Sequence, residues 1–207
     1  MGNIPTAWPL RYARCSWLEI AARNSEERAN SAFLDLVNLA MRAGIALGSN
    51  IEPRLAYLQA ARRRIDLLHA GPQPVLCSKV YETSPIGCPP GSPLFLNAVL
   101  EVVIREEPQE FLEKLQSIER TLGRLPSTTR NSPRVIDLDL LYCESVVIST
   151  PRLTLPHPRI AERLFVLRPL ADIRPKLILP TFSRTVEELV REHSNAEHAT
   201  VYCNSIY

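Results

Sequence analysis

Residues Arg130–Tyr142 read RNSPRVIDLDLLY. The run from Val135 onward is strand-like, and a strand sends alternate side chains to opposite faces. Asp137 and Asp139 therefore leave one face together, while Ile136, Leu138 and Leu140 leave the other, toward a core. Two carboxylates forced together repel unless a cation lies between them. The simplest such cation is Mg²⁺, a hard ion that takes oxygen ligands and often brings phosphates with it. Arg120, Arg124, Arg130 and Arg134 lie at or just upstream of the strand, with no acid among residues 120–134. An acid pair beside a cationic loop suits magnesium-dependent handling of a polyphosphate. A solvated strand face and solvated loop arginines would produce the same letters, so the motif is judged by its surroundings.

Working outward, residues 107–122 carry Phe111, Leu115, Ile118 and Leu122 at helical spacing. Gln116 and Glu119, three apart on that helix, can share a face. Before it, Phe95–Ile104 (FLNAVLEVVI) reads as a strand. The proline-rich Ser84–Pro93 (SPIGCPPGSP) can hold no regular element, and Val75–Thr83 reads as another strand. A helix over about 50–69 is expected to be capped by Asn50, with Pro53 in its first turn and Arg62, Arg63 and Arg64 on its solvated side. Gly44–Leu47 is a short buried strand. Downstream, a strand pair is expected within 145–155, a helix over about 160–173 and a weaker one over about 186–193. The order β-α-β-β-α-β defines an α+β, ferredoxin-like core: a four-stranded antiparallel sheet with helices packed on it. The domain is expected over 43–193. An N-terminal extension over 1–42 carries one amphipathic helix over 26–42, and 194–207 read as a tail.

Composition narrows the function classes. The 207 residues suit one domain with a sizeable core. A net charge of +2 gives no bulk field for nucleic acid or membrane. The five cysteines, Cys15, Cys77, Cys88, Cys143 and Cys203, are scattered and form no CxxC or Cys/His cluster. Zinc and a disulfide scaffold are therefore not expected, and a reducing, cytoplasmic compartment is. Small-molecule substrates, no nucleic acid, no membrane and a monomeric state complete the expectation.

Seven segments in order resemble the 6-hydroxymethyl-7,8-dihydropterin pyrophosphokinase family of folate biosynthesis. They are ALGSN (46–50), YETSPIG (81–87), FLNAV (95–99), IERTLGR (118–124), PRVIDLDLL (133–141), RLTLPHPRI (152–160) and ERLFVLRPLADI (162–173). The resemblance implies transfer of pyrophosphate from ATP, the co-substrate, to the pterin hydroxymethyl oxygen, with release of AMP and use of two Mg²⁺ ions. It places the metal ligands at Asp137 and Asp139 and the catalytic loop arginines at Arg124 and Arg134. It places the nucleotide site at Gln116, Glu119, Arg152, Thr154, His157 and Arg163. The pterin falls to Asn97, with Thr83, Ser84 and Ile86 supplying backbone and packing contacts and Phe95 and Phe165 stacking on the ring.

The sequence departs from the family in places. Asn131 and Ser132 stand where the family often has tryptophan and glycine, and Pro126 and Ser127 where some relatives carry basic residues. The loops over 84–93 and 120–134 are expected to close over ATP. Two other readings remain open: a non-catalytic pterin- or nucleotide-binding module of the same fold, and another metal-dependent nucleotidyl transferase.

Overall fold

The computed structural model describes residues 40–125, 132–193 and 199–207. Its elements in chain order are β1 (Met41–Ser49), α1 (Arg54–Asp66), β2 (Leu76–Cys77), β3 (Val80–Thr83), β4 (Phe95–Ile104) and α2 (Pro108–Thr121). There follow β5 (Asp137–Cys143), β6 (Ile148–Ser149), β7 (Thr154–Leu155), a 3₁₀ turn (Ile160–Glu162), α3 (Leu164–Ile173), α4 (Val186–Glu192) and β8 (Ala199–Cys203). The main sheet runs β5-β1-β4-β3-β8, with β2 also on β4, and every pairing is antiparallel. Without β2 and β8, this is the ferredoxin-like order that the alternation of elements implies.

Period-two alternation divides the sheet's side chains. Ile45, Leu47, Leu96, Ala98, Leu100, Leu138 and Leu140 pack on one face against Leu58, Ala61 and Ile65 of α1 and Phe111, Leu115 and Ile118 of α2. The other face carries Val99, Leu141 and Tyr142, covered by Leu164, Leu167 and Leu170 of α3 and Val186, Leu189 and Val190 of α4. Those two helices cover only part of this face. The part left open carries Ala46, Gly48, Asn97, Asp137 and Asp139, and it becomes the site. Tyr142 lies over Gly44, where any Cβ would enter its ring, and its hydroxyl donates to Glu101 at 2.7 Å. Arg174 closes this buried network with a bidentate grip on Glu101, Nη2 donating to Oε1 at 2.5 Å and Nε to Oε2 at 3.0 Å.

Several expectations need correction. The helix over 26–42 falls almost wholly outside the described residues, but Met41 and Arg42 belong to β1, so the domain starts earlier than 43. The expected strand over 75–83 is two short pieces, interrupted at Ser78, whose hydroxyl accepts from the Val99 N–H at 2.9 Å. Asn50 does not cap α1; Pro53 takes the N-cap position, with no side-chain cap bond. Arg62 is not solvated but 4% exposed. Its Nη2 donates to the Tyr207 hydroxyl at 2.5 Å, and its guanidinium carbon lies 3.9 Å from that ring's centroid. The stretch over 194–207 is not a loose tail across its described part. Residues 199–203 add an edge strand to β3, and Ile206 is buried. Arginine's long stem lets a charged residue cover apolar surface while its head stacks on an aromatic.

Candidate active site

Asp137 and Asp139 stand at the start of β5 because its alternation buries Leu138 and Leu140. Their mutual repulsion is offset by arginine. Asp137 Oδ1 accepts from Arg124 Nη1 at 2.6 Å, and its Oδ2 accepts from Arg134 Nη1 at 2.8 Å. Asp139 Oδ2 accepts from Arg163 Nη1 at 3.1 Å. Arg124 also donates to Glu119, whose Oε1 accepts the Leu138 N–H at 2.8 Å. Burial pushes the Glu119 carboxyl up to about 7, outweighing the Leu138 N–H and the Arg124 charge that pull it down.

These groups face a cavity of about 370 Å³. Asn97, 6% exposed, donates through Nδ2 to Thr83 Oγ1 at 2.7 Å. Its Oδ1 would lie 3.2 Å from a Cβ at Gly48, so the glycine leaves this amide its place. Phe95 and Phe165 both line the cavity, and the Arg163 guanidinium lies 5.5 Å from the Phe165 ring centroid. Ser84 and Ile86 complete the side formed by the loop after β3. The His157 N–H donates to the Leu141 carbonyl at 2.7 Å, tying the turn after β7 to β5. Its Nδ1 accepts from the Arg159 N–H at 3.2 Å, which leaves the proton on Nε2. Burial lowers its pKa, so the ring is a neutral donor near pH 7.

Of the residues expected from sequence, the cavity gathers Thr83, Ser84, Ile86, Phe95, Asn97, Arg124, Arg134, Asp137, Asp139, His157, Arg163 and Phe165. Glu119 stands behind it, bonded to Arg124. Gln116 and Glu119 do not share a surface: Gln116 is exposed on α2 and Glu119 is buried. Arg152 and Thr154 are exposed on the β6–β7 hairpin, outside the cavity wall. Arg130, Asn131, Pro126 and Ser127 lie outside the described residues. Residues missed from sequence are Gly48, Arg159 and Glu162, which line the cavity, and Asn50, whose Oδ1 accepts the Arg134 N–H at 2.8 Å. The Gly-Ser-Asn at the end of β1 was the available signal for two of them; an exposed arginine and glutamate on a turn carry none.

Among the described residues, no group of three or more His, Cys, Asp or Glu is arranged to hold a metal ion. Two carboxylates alone suit a hard cation that keeps waters and takes phosphate oxygens, and do not suit zinc.

Carboxylates balanced by guanidiniums, above a small cavity with aromatic walls, equip a transferase that moves a phosphorylated group. Comparison with known proteins makes this specific. The family model described as 7,8-dihydro-6-hydroxymethylpterin-pyrophosphokinase (HPPK) matches residues 44–175. The 2-amino-4-hydroxy-6-hydroxymethyldihydropteridine pyrophosphokinase of Bacillus subtilis is 45% identical over 133 residues, covering 63% of this chain and 77% of that protein. The protein of the same name from Haemophilus influenzae is 36% identical over 162 residues, covering 78% of this chain and 98% of its own length. This chain belongs to the HPPK family and is a pyrophosphokinase. Among solved structures, Plasmodium falciparum HPPK-DHPS with pteroate shares the fold at a TM-score of 0.59 and 16% identity, over 74% of this chain. The chain spans 42% of that longer protein.

Proposed function

We propose that this protein transfers the pyrophosphoryl group of ATP to the hydroxymethyl oxygen of 6-hydroxymethyl-7,8-dihydropterin, releasing AMP, with two Mg²⁺ ions, in folate biosynthesis. The observation that carries this is the pairing of Asp137 and Asp139 with Arg124, Arg134 and Arg163 on the cavity, with Asn97 on the same open sheet face across Gly48 from Asp137. A tetra-anionic nucleotide needs such cations, and a flat polar heterocycle needs an amide between aromatic walls.

Asn97 and Thr83 meet the pterin's donor and acceptor edge, with Ser84 and Ile86 beside it and Phe95 and Phe165 against its faces. Arg124 and Arg134 exchange Asp137 for phosphate oxygens, each guanidinium offering a planar fork. Arg163 makes the same exchange from Asp139. Neutral His157 donates through Nε2 to a phosphate oxygen. Glu119 holds Arg124 in place. Bound Mg²⁺ on Asp137 and Asp139 would neutralise charge on the bridging and leaving oxygens and favour ionisation of the attacking hydroxyl. The chain's own contribution is alignment of that hydroxyl with the β-phosphorus and exclusion of water. Gln116, Arg152 and Thr154, outside the cavity, fall to the adenosine end. A cytoplasmic monomer is part of this reading. The four described cysteines are free, and no described helix is long and apolar enough to cross a membrane.

The test is direct. Incubation with ATP, Mg²⁺ and 6-hydroxymethyl-7,8-dihydropterin should yield AMP and the pterin diphosphate. Binding of the pterin without any AMP would instead identify a non-catalytic module.

A further inference from the structure

Asn50 follows β1 and is 2% exposed. Its Oδ1 accepts the Arg134 N–H at 2.8 Å, and its own N–H donates to the Arg134 carbonyl at 3.3 Å. Two bonds to one residue fix that residue's backbone, as a ladder pair does between strands. Arg134 lies three residues before the start of β5, and its guanidinium reaches Asp137 at 2.8 Å. Asn50 does not line the main cavity. Its Nδ2 has no acceptor among the described residues, although it is buried. A buried amide with an idle donor is costly, and helix capping does not account for it here.

We infer that Asn50 is a positioning residue for catalysis: it clamps the Arg134 backbone and so sets where the Arg134 guanidinium stands relative to Asp137. The clamp is a property of the fold. Only the direction of its kinetic effect rests on the proposed pyrophosphoryl transfer. Asn50→Ala removes the side-chain acceptor and leaves the Arg134 N–H unmatched. The guanidinium then samples positions away from Asp137 and from the phosphate it must grip. The loss should fall on kcat, by about tenfold, since a single misplaced donor costs up to about 10²–10³ in rate. KM for the pterin should stay unchanged, because Asn97, Thr83 and the two phenylalanines are not touched by Asn50.

A double-mutant cycle tests the route of action. Asn50→Ala is measured in the wild-type protein and in Arg134→Ala, alongside Asn50→Asp, which keeps the acceptor oxygen. The expected result is a tenfold fall in kcat from Asn50→Ala in the wild type, a smaller fall from Asn50→Asp, and less than a twofold effect of either in Arg134→Ala. An equal loss in both backgrounds would show a general structural role and overturn the inference, as would no loss at all. Nucleotide-free Mn²⁺ binding gives a second readout independent of turnover. Asn50→Ala should tighten it several-fold, because a loosened Arg134 competes less for Asp137. Unchanged Mn²⁺ affinity in the folded variant overturns the clamp. A wild type that releases no AMP, with Mn²⁺ affinity still responding, sinks the proposed function and leaves the clamp standing.

Discussion

Replacing Arg134 by alanine should move two observables in opposite directions. In the structure, Arg134 Nη1 occupies Asp137 Oδ2 at 2.8 Å, while Arg124 occupies Oδ1. A divalent ion arriving without nucleotide must displace one of them. The Asp137–Arg134 pair is partly solvated, with the side chains 24% and 22% exposed, so its net strength lies well below the bare Coulomb value. About 1 kcal/mol is a fair figure for such a pair, which is about fivefold in an equilibrium constant. Arg134→Ala should therefore bind Mn²⁺, a paramagnetic stand-in for Mg²⁺, about fivefold more tightly in the absence of ATP. Turnover should fall by on the order of 10²–10³, because a donor to developing phosphate charge is gone. Mn²⁺ titration by electron paramagnetic resonance reads the first, and AMP release under saturating substrates reads the second. Mn²⁺ affinity that is unchanged or weakened, in a variant with wild-type thermal stability, refutes the idea that arginine and metal compete for Asp137.

Three further outcomes are expected. Gly44→Ala forces a Cβ against Tyr142, 2.6 Å from Cζ and 2.8 Å from Cδ1, and displaces the hydroxyl from buried Glu101. Overpacking and the lost charge-assisted bond together should cost about 3–5 kcal/mol in denaturant unfolding, and a cost below about 1 would mean that the ring moves freely. Glu119 titrates higher in the folded protein, about 7, than its ordinary 4.5, because of burial. The native state thus holds this proton more tightly than the unfolded chain. The associated stability is present below pH 4.5 and is lost as pH rises to about 7. The melting temperature of the wild type should fall relative to Glu119→Gln across that window, and parallel curves would contradict the burial. Arg159 lines the cavity with no carboxylate partner among the described residues, whereas Arg124, Arg134 and Arg163 are all matched. Arg159→Ala should raise KM for ATP about three- to tenfold through loss of a charge-assisted contact, with kcat unchanged. An unchanged KM removes it from the nucleotide site.

Strong periodicity made much of this molecule legible. FLNAVLEVVI reads as a strand and is β4 residue for residue, because its apolar run leaves no helical face. The stripe of Phe111, Leu115 and Ile118 defines α2 to within a residue at each end. Period-two alternation puts Asp137 and Asp139 on the cavity and Leu138 and Leu140 in the core, as the sequence spacing implies. What was illegible depends on distant partners. Arg62 sits in a run of three arginines that reads as solvated, but Tyr207, 145 residues away, stacks on its guanidinium and accepts from it. Residues 199–203 have no alternation to announce a strand, since one edge of β8 is exposed and its partner β3 is far off in sequence. Asn50 precedes a helix with a residue type that caps helices, so local preference pointed to the wrong role. The bond it makes instead spans 84 residues. The three-residue spacing of Gln116 and Glu119 allows a shared helix face, but on this helix it takes Glu119 inward and leaves Gln116 in water.

In the proposed reaction the two β5 carboxylates hold the divalent ions that carry the polyphosphate. The most direct measurement is the stoichiometry of Mn²⁺ bound with α,β-methylene-ATP to the wild type, Asp137→Asn and Asp139→Asn, each checked for folding by its melting curve. The expected result is two ions per wild-type chain, fewer in each variant, and loss of AMP release from both variants when ATP and the pterin are supplied. Two ions retained in both variants, with AMP released at the wild-type rate, would contradict it.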